Sequence, residues 1–235
     1  MHLGDFDALS FDCYGTLIDW EHGLRHGLDR VAMLTDPAPS IDALLETYAG
    51  AEAETERSHP SLPYPSVIAQ SIIATGMGHG IVVPEDIALS IGTSVPSWPA
   101  FPDSPRALER LHKRYKLIIL SNVDRESFAS SNARLGVEFD AVLTAEDIGS
   151  YKPDRRNFEA LTIRVESMDI PRNRLLHVAQ SLFHDLVPAK AAGLSTVWID
   201  RRHGLEGSGA TPAVPDGVQP DWTFTSLAAF ADAVD

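Results

Sequence analysis

Only one cysteine, Cys13, occurs in the 235 residues, which excludes an internal disulfide framework. By the burial habits of that residue type, it reads as a small core side chain. Positive charge is scarce as well: 19 Lys and Arg stand against 33 Asp and Glu, a formal net charge of −14. A surface of that sign repels nucleic acid and anionic membranes, so an anionic ligand requires a local cluster of donors. No apolar run is long enough to cross a bilayer. The start, Met1-His2-Leu3-Gly4-Asp5, has neither the basic nor the apolar segment of a secretion signal. These absences point to a cytoplasmic protein whose partners are small molecules, with no nucleic acid and no membrane among them; assembly as a homodimer is left open.

What is present is a pattern of short β-rich runs alternating with helical stretches. Strands are expected over residues 6–12, 116–121, 139–144, 175–178, 195–199 and, weakly marked, 222–224. Helices are expected over 104–114, 125–135, 157–165 and 184–192. Alternation of this kind builds a parallel sheet with helices on both faces, and ligands then bind outside the carboxyl ends of the strands. Residues 18–95 break the pattern. Helical stretches at 41–56 and 66–74 are punctuated by Pro37, Pro39, Pro60, Pro63, Pro65 and Pro84, without a clear strand. The reading is an α/β chain: a doubly wound parallel-sheet core (1–17 plus 96–235) with an inserted helical cap domain (18–95). The prolines of Trp98-Pro99-Ala100-Phe101-Pro102 suit a connecting strap between the two. A Gly- and Pro-rich tail, 203–220, reads as a loop.

Four polar clusters fall at expected strand ends. The first strand leads into Phe11-Asp12-Cys13-Tyr14-Gly15-Thr16-Leu17. A carboxylate there, oriented and shielded from water, can act as a nucleophile. Leu120-Ser121-Asn122 supplies a hydroxyl and an amide, Tyr151-Lys152-Pro153 a lysine, and Gln180-Ser181-Leu182-Phe183-His184-Asp185 a further carboxylate in the first turn of a helix. A parallel sheet brings all four to one crevice, which turn chemistry alone does not explain.

On these residues the chain resembles the haloacid dehalogenase superfamily, whose four motifs match Asp12 with Thr16, Ser121, Lys152 and Asp185. The resemblance implies a Rossmann-like core with a helical cap. Magnesium phosphatases of the superfamily are the alternative. They resemble one another in a second Asp two residues after the nucleophile and an acidic residue four before the last motif Asp. Those positions here are Tyr14 and Ser181, and magnesium takes carboxylates as its usual protein anchors. Asp-x-Tyr-Gly-Thr with Ser-Asn and Tyr-Lys-Pro is instead similar to the metal-independent 2-haloacid dehalogenases, which implies no metal and no cofactor. By that resemblance Asp12 attacks C2 of a small carboxylic acid, and water then hydrolyses the aspartyl ester. Lys152 lowers the pKa of Asp12, and Asp185 orients Lys152 and the water. Ser121 and backbone amides near Cys13 hold the substrate carboxylate, Tyr14 and Ser181 shape the site, and Asn122 belongs to the leaving-group cradle.

Dehalogenases of this branch carry a cap arginine beside the departing halide. The helix over 44–56 has none and carries Glu52, Glu54 and Glu56 instead; two of the three are expected on a solvated face, and Arg25 or Arg57 could fold back to supply the guanidinium. A nearer resemblance, in Phe11 through Glu21, Gly92-Thr93-Ser94-Val95 and Arg201-Arg202-His203-Gly204, is to the L-azetidine-2-carboxylate hydrolases, whose leaving group is an amine. Trp20 and Trp98, on either side of the expected hinge, are candidates to line the pocket. His184 flanks Asp185.

Overall fold

The alternating run of strands and helices closes into a six-stranded, all-parallel sheet in the order β3-β2-β1-β4-β5-β6. The strands are β1 (Ala8–Phe11), β2 (Lys116–Ser121), β3 (Ala141–Thr144), β4 (Leu175–Ala179), β5 (Ser195–Ile199) and β6 (Trp222–Phe224). The structure is a computed structural model and describes residues 2–204 and 217–234; residues 205–216 of the expected loop lie outside the described residues. Side chains alternate across the sheet as the pleat requires. Leu9, Phe11, Leu117 and Ile119 enter one apolar cluster, while Ala8, Ile118 and Leu120 enter another with Phe158 and Leu161. Chain order reverses on either side of β1, so the crevice at its carboxyl end lies at the switch point of the sheet.

Four α-helices lie between β1 and the strap: α1 (Trp20–Ala32), α2 (Ile41–Ser58), α3 (Tyr64–Gly78) and α4 (Glu85–Gly92). The helices α2 and α3 extend beyond the expected 41–56 and 66–74, and α1 and α4 lie where no helix is expected. Glycine lowers helix propensity, and α1 contains two; the structure accounts for Gly23, where a Cβ would lie 2.1 Å from Trp98. Side-chain caps start two of these helices, Asp19 accepting from the His22 amide and Ser40 from that of Ala43. The core helices are α5 (Ser104–His112), α6 (Arg125–Leu135), α7 (Ala145–Ile148), α8 (Arg155–Glu166), α9 (Val187–Ala191) and α10 (Leu227–Val234). The expected helix over 184–192 is divided, a wide π-turn at Leu182–Leu186 preceding α9. Turns of this kind are frequent at functional sites, and this one carries Asp185. Among the described residues no helix is long and apolar enough to cross a membrane.

The strap runs beside the end of the first loop. Ile18 bridges Ala100, the Phe101 amide donates to the Leu17 carbonyl, and the Asp19 amide donates to the Pro99 carbonyl. Asp103 then accepts two hydrogen bonds from Arg201 at 2.8 and 3.0 Å, and Arg201 in turn donates to the Thr16 carbonyl. The Arg201 side chain is only 9% exposed, so removing its counter-charge strands a buried guanidinium. Asp103→Ala is expected to cost on the order of 3 kcal/mol, lowering the melting temperature by roughly 6–12 °C. Thermal unfolding of the variant beside the parent checks this, and an unchanged midpoint would show the pair to be dispensable.

Candidate active site

β1 ends at Phe11, and the next carboxylate, Asp12, is held from three directions. Its amide donates to the Val178 carbonyl of β4 at 3.1 Å, fixing the backbone across the switch point. Thr16 Oγ1 donates to Asp12 Oδ2 at 2.6 Å and accepts the Gln180 amide at 2.9 Å. Lys152 Nζ donates to Asp12 Oδ1 at 2.9 Å. The return of the chain from Asp12 to Thr16 passes through Gly15 at φ +93°, a left-handed conformation that favours glycine. A Cβ there would also lie 2.8 Å from Trp20 Nε1 and 3.2 Å from Gln180 Oε1.

All three N–H groups of the Lys152 ammonium are used: Asp12 Oδ1, Asp185 Oδ1 at 2.7 Å and the Leu120 carbonyl at 3.0 Å. The lysine is buried among its partners. Burial opposes its charge, but the two carboxylates together outweigh that and hold its pKa above the ordinary value. One cation therefore serves two anions. Burial and the neighbouring Asp185 charge leave Asp12 above the usual carboxylate range despite Lys152, a correction to the expectation that the lysine holds it low. For Asp185, burial is overcome by Lys152 and by a hydrogen bond from His177, and its pKa lies below the usual value.

His177 was not singled out from the sequence. It lies in β4 opposite Ser10 of β1, with Nδ1 2.9 Å from Ser10 Oγ and Nε2 3.0 Å from Asp185 Oδ1. Because Lys152 and His177 both address Oδ1, Asp185 Oδ2 is left buried and without a partner, as is Ser121 Oγ. Both residues line the cavity above Asp12, a space of about 40 Å³. That is room for roughly three waters, so the site suits a small ligand.

Further lining residues are Tyr14, Trp20, Asn122, Gln180, Ser181 and His184. Tyr14 Oη is bonded to Ser131 Oγ at 2.8 Å, and Ser181 Oγ accepts the His184 amide at 3.0 Å. Burial brings the His184 pKa down to about 4. Cys13 and Trp98 are elsewhere: both pack in the apolar core, and Trp98 meets Tyr14 edge-on rather than lining the cavity. Asn122 is not free to cradle a leaving group. Its Oδ1 accepts the Lys152 amide at 2.6 Å, and its Nδ2 is shared between the Lys152 carbonyl and the Glu56 carboxylate.

The cap supplies the largest departure from expectation. Glu52 and Glu56 are buried and line the cavity; only Glu54 is solvated, paired with Arg57. Tyr48 and Tyr64 both donate to Glu52 Oε1, at 2.9 and 3.2 Å. Burial pushes the Glu52 carboxyl up to about 7, against those hydrogen bonds, and burial with the charge of Glu52 pushes Glu56 up as well. No arginine lines this cavity among the described residues. Arg25, like Arg57, is engaged elsewhere, with Asp42.

A magnesium ion is poorly matched to these donors. Where a phosphatase of this fold would offer carboxylates, Tyr14 and Ser181 are hydrogen-bonded neutral groups, and among the described residues no cluster of His, Cys, Asp and Glu could hold a metal.

The family model of the haloacid dehalogenase-like hydrolases matches residues 6–193. An (S)-2-haloacid dehalogenase of Pseudomonas sp. (strain YL) is 34% identical over 134 residues, 56% of this chain and 52% of that protein. The match thus spans about half the length of that relative. (S)-2-haloacid dehalogenase H-109 of Pseudomonas putida is 26% identical over 92% of this chain and 97% of its own. In fold, the solved L-2-haloacid dehalogenase of Xanthobacter autotrophicus superposes with a TM-score of 0.76 at 18% identity, covering 97% of this chain and 98% of that one.

His177 offers a direct test of how Asp185 is held. In His177→Phe the carboxylate loses a hydrogen bond that favours its ionised form, so its pKa rises. If ionised Asp185 is needed for turnover, the acidic limb of the kcat/KM profile is expected to move to higher pH. An acidic limb that stays in place would show that His177 only packs.

Proposed function

The chain belongs to the haloacid dehalogenase-like hydrolases, and on that footing we propose that it displaces the substituent at C2 of a small 2-substituted carboxylic acid through an ester on Asp12. The observation that carries this reading is the buried cluster in which one lysine bridges two carboxylates and leaves Asp185 Oδ2 unpartnered. An Asp12 oxygen forms a bond to C2 as the C2 substituent departs with its electron pair. Water gives a proton to Asp185 as it adds to the Asp12 carboxyl carbon, and that proton passes to the departing alkoxide, releasing the 2-hydroxy acid and restoring both carboxylates. Lys152 balances charge throughout, and the Ser121 hydroxyl is suited to the substrate carboxylate. Tyr14 and Ser181 weigh against a magnesium-dependent phosphatase, because neither supplies the acid or the ligand that phosphoryl transfer needs there.

Two leaving groups come into question: a halide, as in the names of the relatives, and the ring nitrogen of azetidine-2-carboxylate, as in the nearer resemblance. The absence of arginine from the described cavity wall favours the nitrogen. A missing charged donor in a water-poor site costs on the order of 2–4 kcal/mol of transition-state stabilisation, or roughly 30- to 1000-fold in rate.

Asp12→Asn is expected to abolish turnover without loss of folding. Multiple turnovers in oxygen-18 water should place the label in the Asp12 peptide, read by mass spectrometry. Label found in the first single-turnover product and never in Asp12 would mean that water attacks the substrate directly. Activity is expected to survive EDTA. Chloride release from 2-chloropropionate should be slower than azetidine ring opening by the factor given above; rapid release, lost on replacing Arg25 or Arg57, would overturn the nitrogen assignment.

A further inference from the structure

We infer that His184 is a substrate-binding residue whose Nε2–H joins the Ser121 hydroxyl in holding the two oxygens of the substrate carboxylate. This rests on the C2 reading above and adds to it a residue that orients the acid over Asp12.

The case begins with the protons of one serine. Ser181 Oγ accepts the His184 amide at 3.0 Å and so caps the π-turn. Its own proton then needs an acceptor, and among the described residues the one within reach is His184 Nδ1, at 3.2 Å. A neutral imidazole carries a single N–H. With Nδ1 accepting, that proton sits on Nε2. Burial keeps the ring in this neutral form, bringing its pKa down to about 4. Phe183 packs against it edge-to-face with ring centroids 4.9 Å apart, which helps to set the plane of the ring.

Nε2 of His184 is buried and without a partner. Glu56 Oε2 lies 3.7 Å away, beyond hydrogen-bond reach, and that carboxylate already accepts from Asn122. Buried donors are ordinarily satisfied, so an N–H left alone on a cavity wall marks where an acceptor of the ligand belongs. Ser121 Oγ is left alone in the same way, in the lining of the same cavity. Lys152 and Tyr64, by contrast, have committed their donors to neighbouring protein groups.

Topology makes the two lone donors a pair. Ser121 ends β2, His184 follows β4, and Asp12 follows β1, which lies between them in the sheet. The donors therefore belong to the strands on either side of the nucleophile. A carboxylate offers one acceptor to each, and its C2 is then carried over Asp12. The remaining lone atom, Asp185 Oδ2, is an acceptor and so falls to water rather than to the acid. Because both donors are neutral, binding the acid leaves the Lys152 charge to Asp12 and Asp185.

The test is read by NMR on protein with nitrogen-15 in its histidines. The ligand is L-lactate, a small 2-hydroxy acid, and the control is lactamide, its neutral counterpart. His184→Phe and His184→Gln each assign the His184 signals by their disappearance, so misfolding of one variant does not block the assignment. In the free protein the ring is expected as the Nε2–H tautomer. L-lactate should shift the Nε2 resonance and that of its proton, and lactamide should shift them much less. Lactate affinity from the same titration should fall by roughly tenfold in His184→Phe, a modest value for a hydrogen bond to a charged group. His184→Gln, which keeps a side-chain N–H, should recover most of it. An Nδ1–H tautomer, lactate binding that leaves the His184 signals in place, or no lactate binding at all would overturn the assignment. So would a His184→Phe variant that binds lactate like the parent, or one that loses lactate and lactamide alike, which is the mark of a packing role. Labelling of Asp12 by oxygen-18 water is read on turnover of the parent enzyme, so the ester mechanism and the His184 contact can fail separately.

Discussion

An ammonium ion placed in a protein interior is tolerable only if every proton finds an acceptor and its charge finds a counter-charge. Lys152 meets both conditions through Asp12, Asp185 and the Leu120 carbonyl, and much of the core serves to bring those acceptors together. β1 delivers Asp12, β2 delivers the carbonyl, the π-turn after β4 delivers Asp185, and the parallel register puts all three at one edge. Neither carboxylate has the lysine to itself. Asp185 is favoured by the added bond from His177, whereas Asp12 has its neighbour's charge against it. This asymmetry suits a site where one carboxylate must form a bond to carbon and the other must accept a proton.

The sheet was largely legible in the sequence. Residues 116–121, 195–199 and 222–224 carry their strand bounds to the residue, because a buried parallel strand is a short apolar run ended by turn residues. The four polar clusters were legible for a related reason, since each interrupts such a run where it meets the crevice. The helices α1 and α4 were not. The glycines and histidines of α1 depress its propensity, and its packing against Trp98 is a tertiary fact that no local window contains. The divided helix after Ser181 escaped too, because its hydrogen bonds span five residues, as from the Leu186 amide to the Ser181 carbonyl, instead of four.

Glu52 and Glu56 illustrate a different limit. Compared with Glu54, they form an alternating acidic run that looks solvated. Placed instead on the helix of Leu44 and Tyr48, they continue its four-residue spacing along the face that turns inward. The pattern was present, but a charged residue on an apolar stripe reads as an exception until its partners are known, and those partners come from α3 and from the core. His177 is hidden likewise: within an apolar strand it has no local mark, and only the register against Ser10 reveals its role.

Asn122 has a consequence that reaches beyond the site. Its amide holds the Lys152 peptide on one side and the Glu56 carboxylate of α2 on the other. A single side chain thus joins the α2 side of the crevice to the residue on which its charge balance depends. Whatever draws α2 away must release Asn122, and the backbone of Lys152 then loses part of its clamp. By linkage the coupling is reciprocal: firm seating of Lys152 favours the bond between Asn122 and Glu56. The cap wall of the cavity and the ion cluster beneath it are in this way tied through one amide.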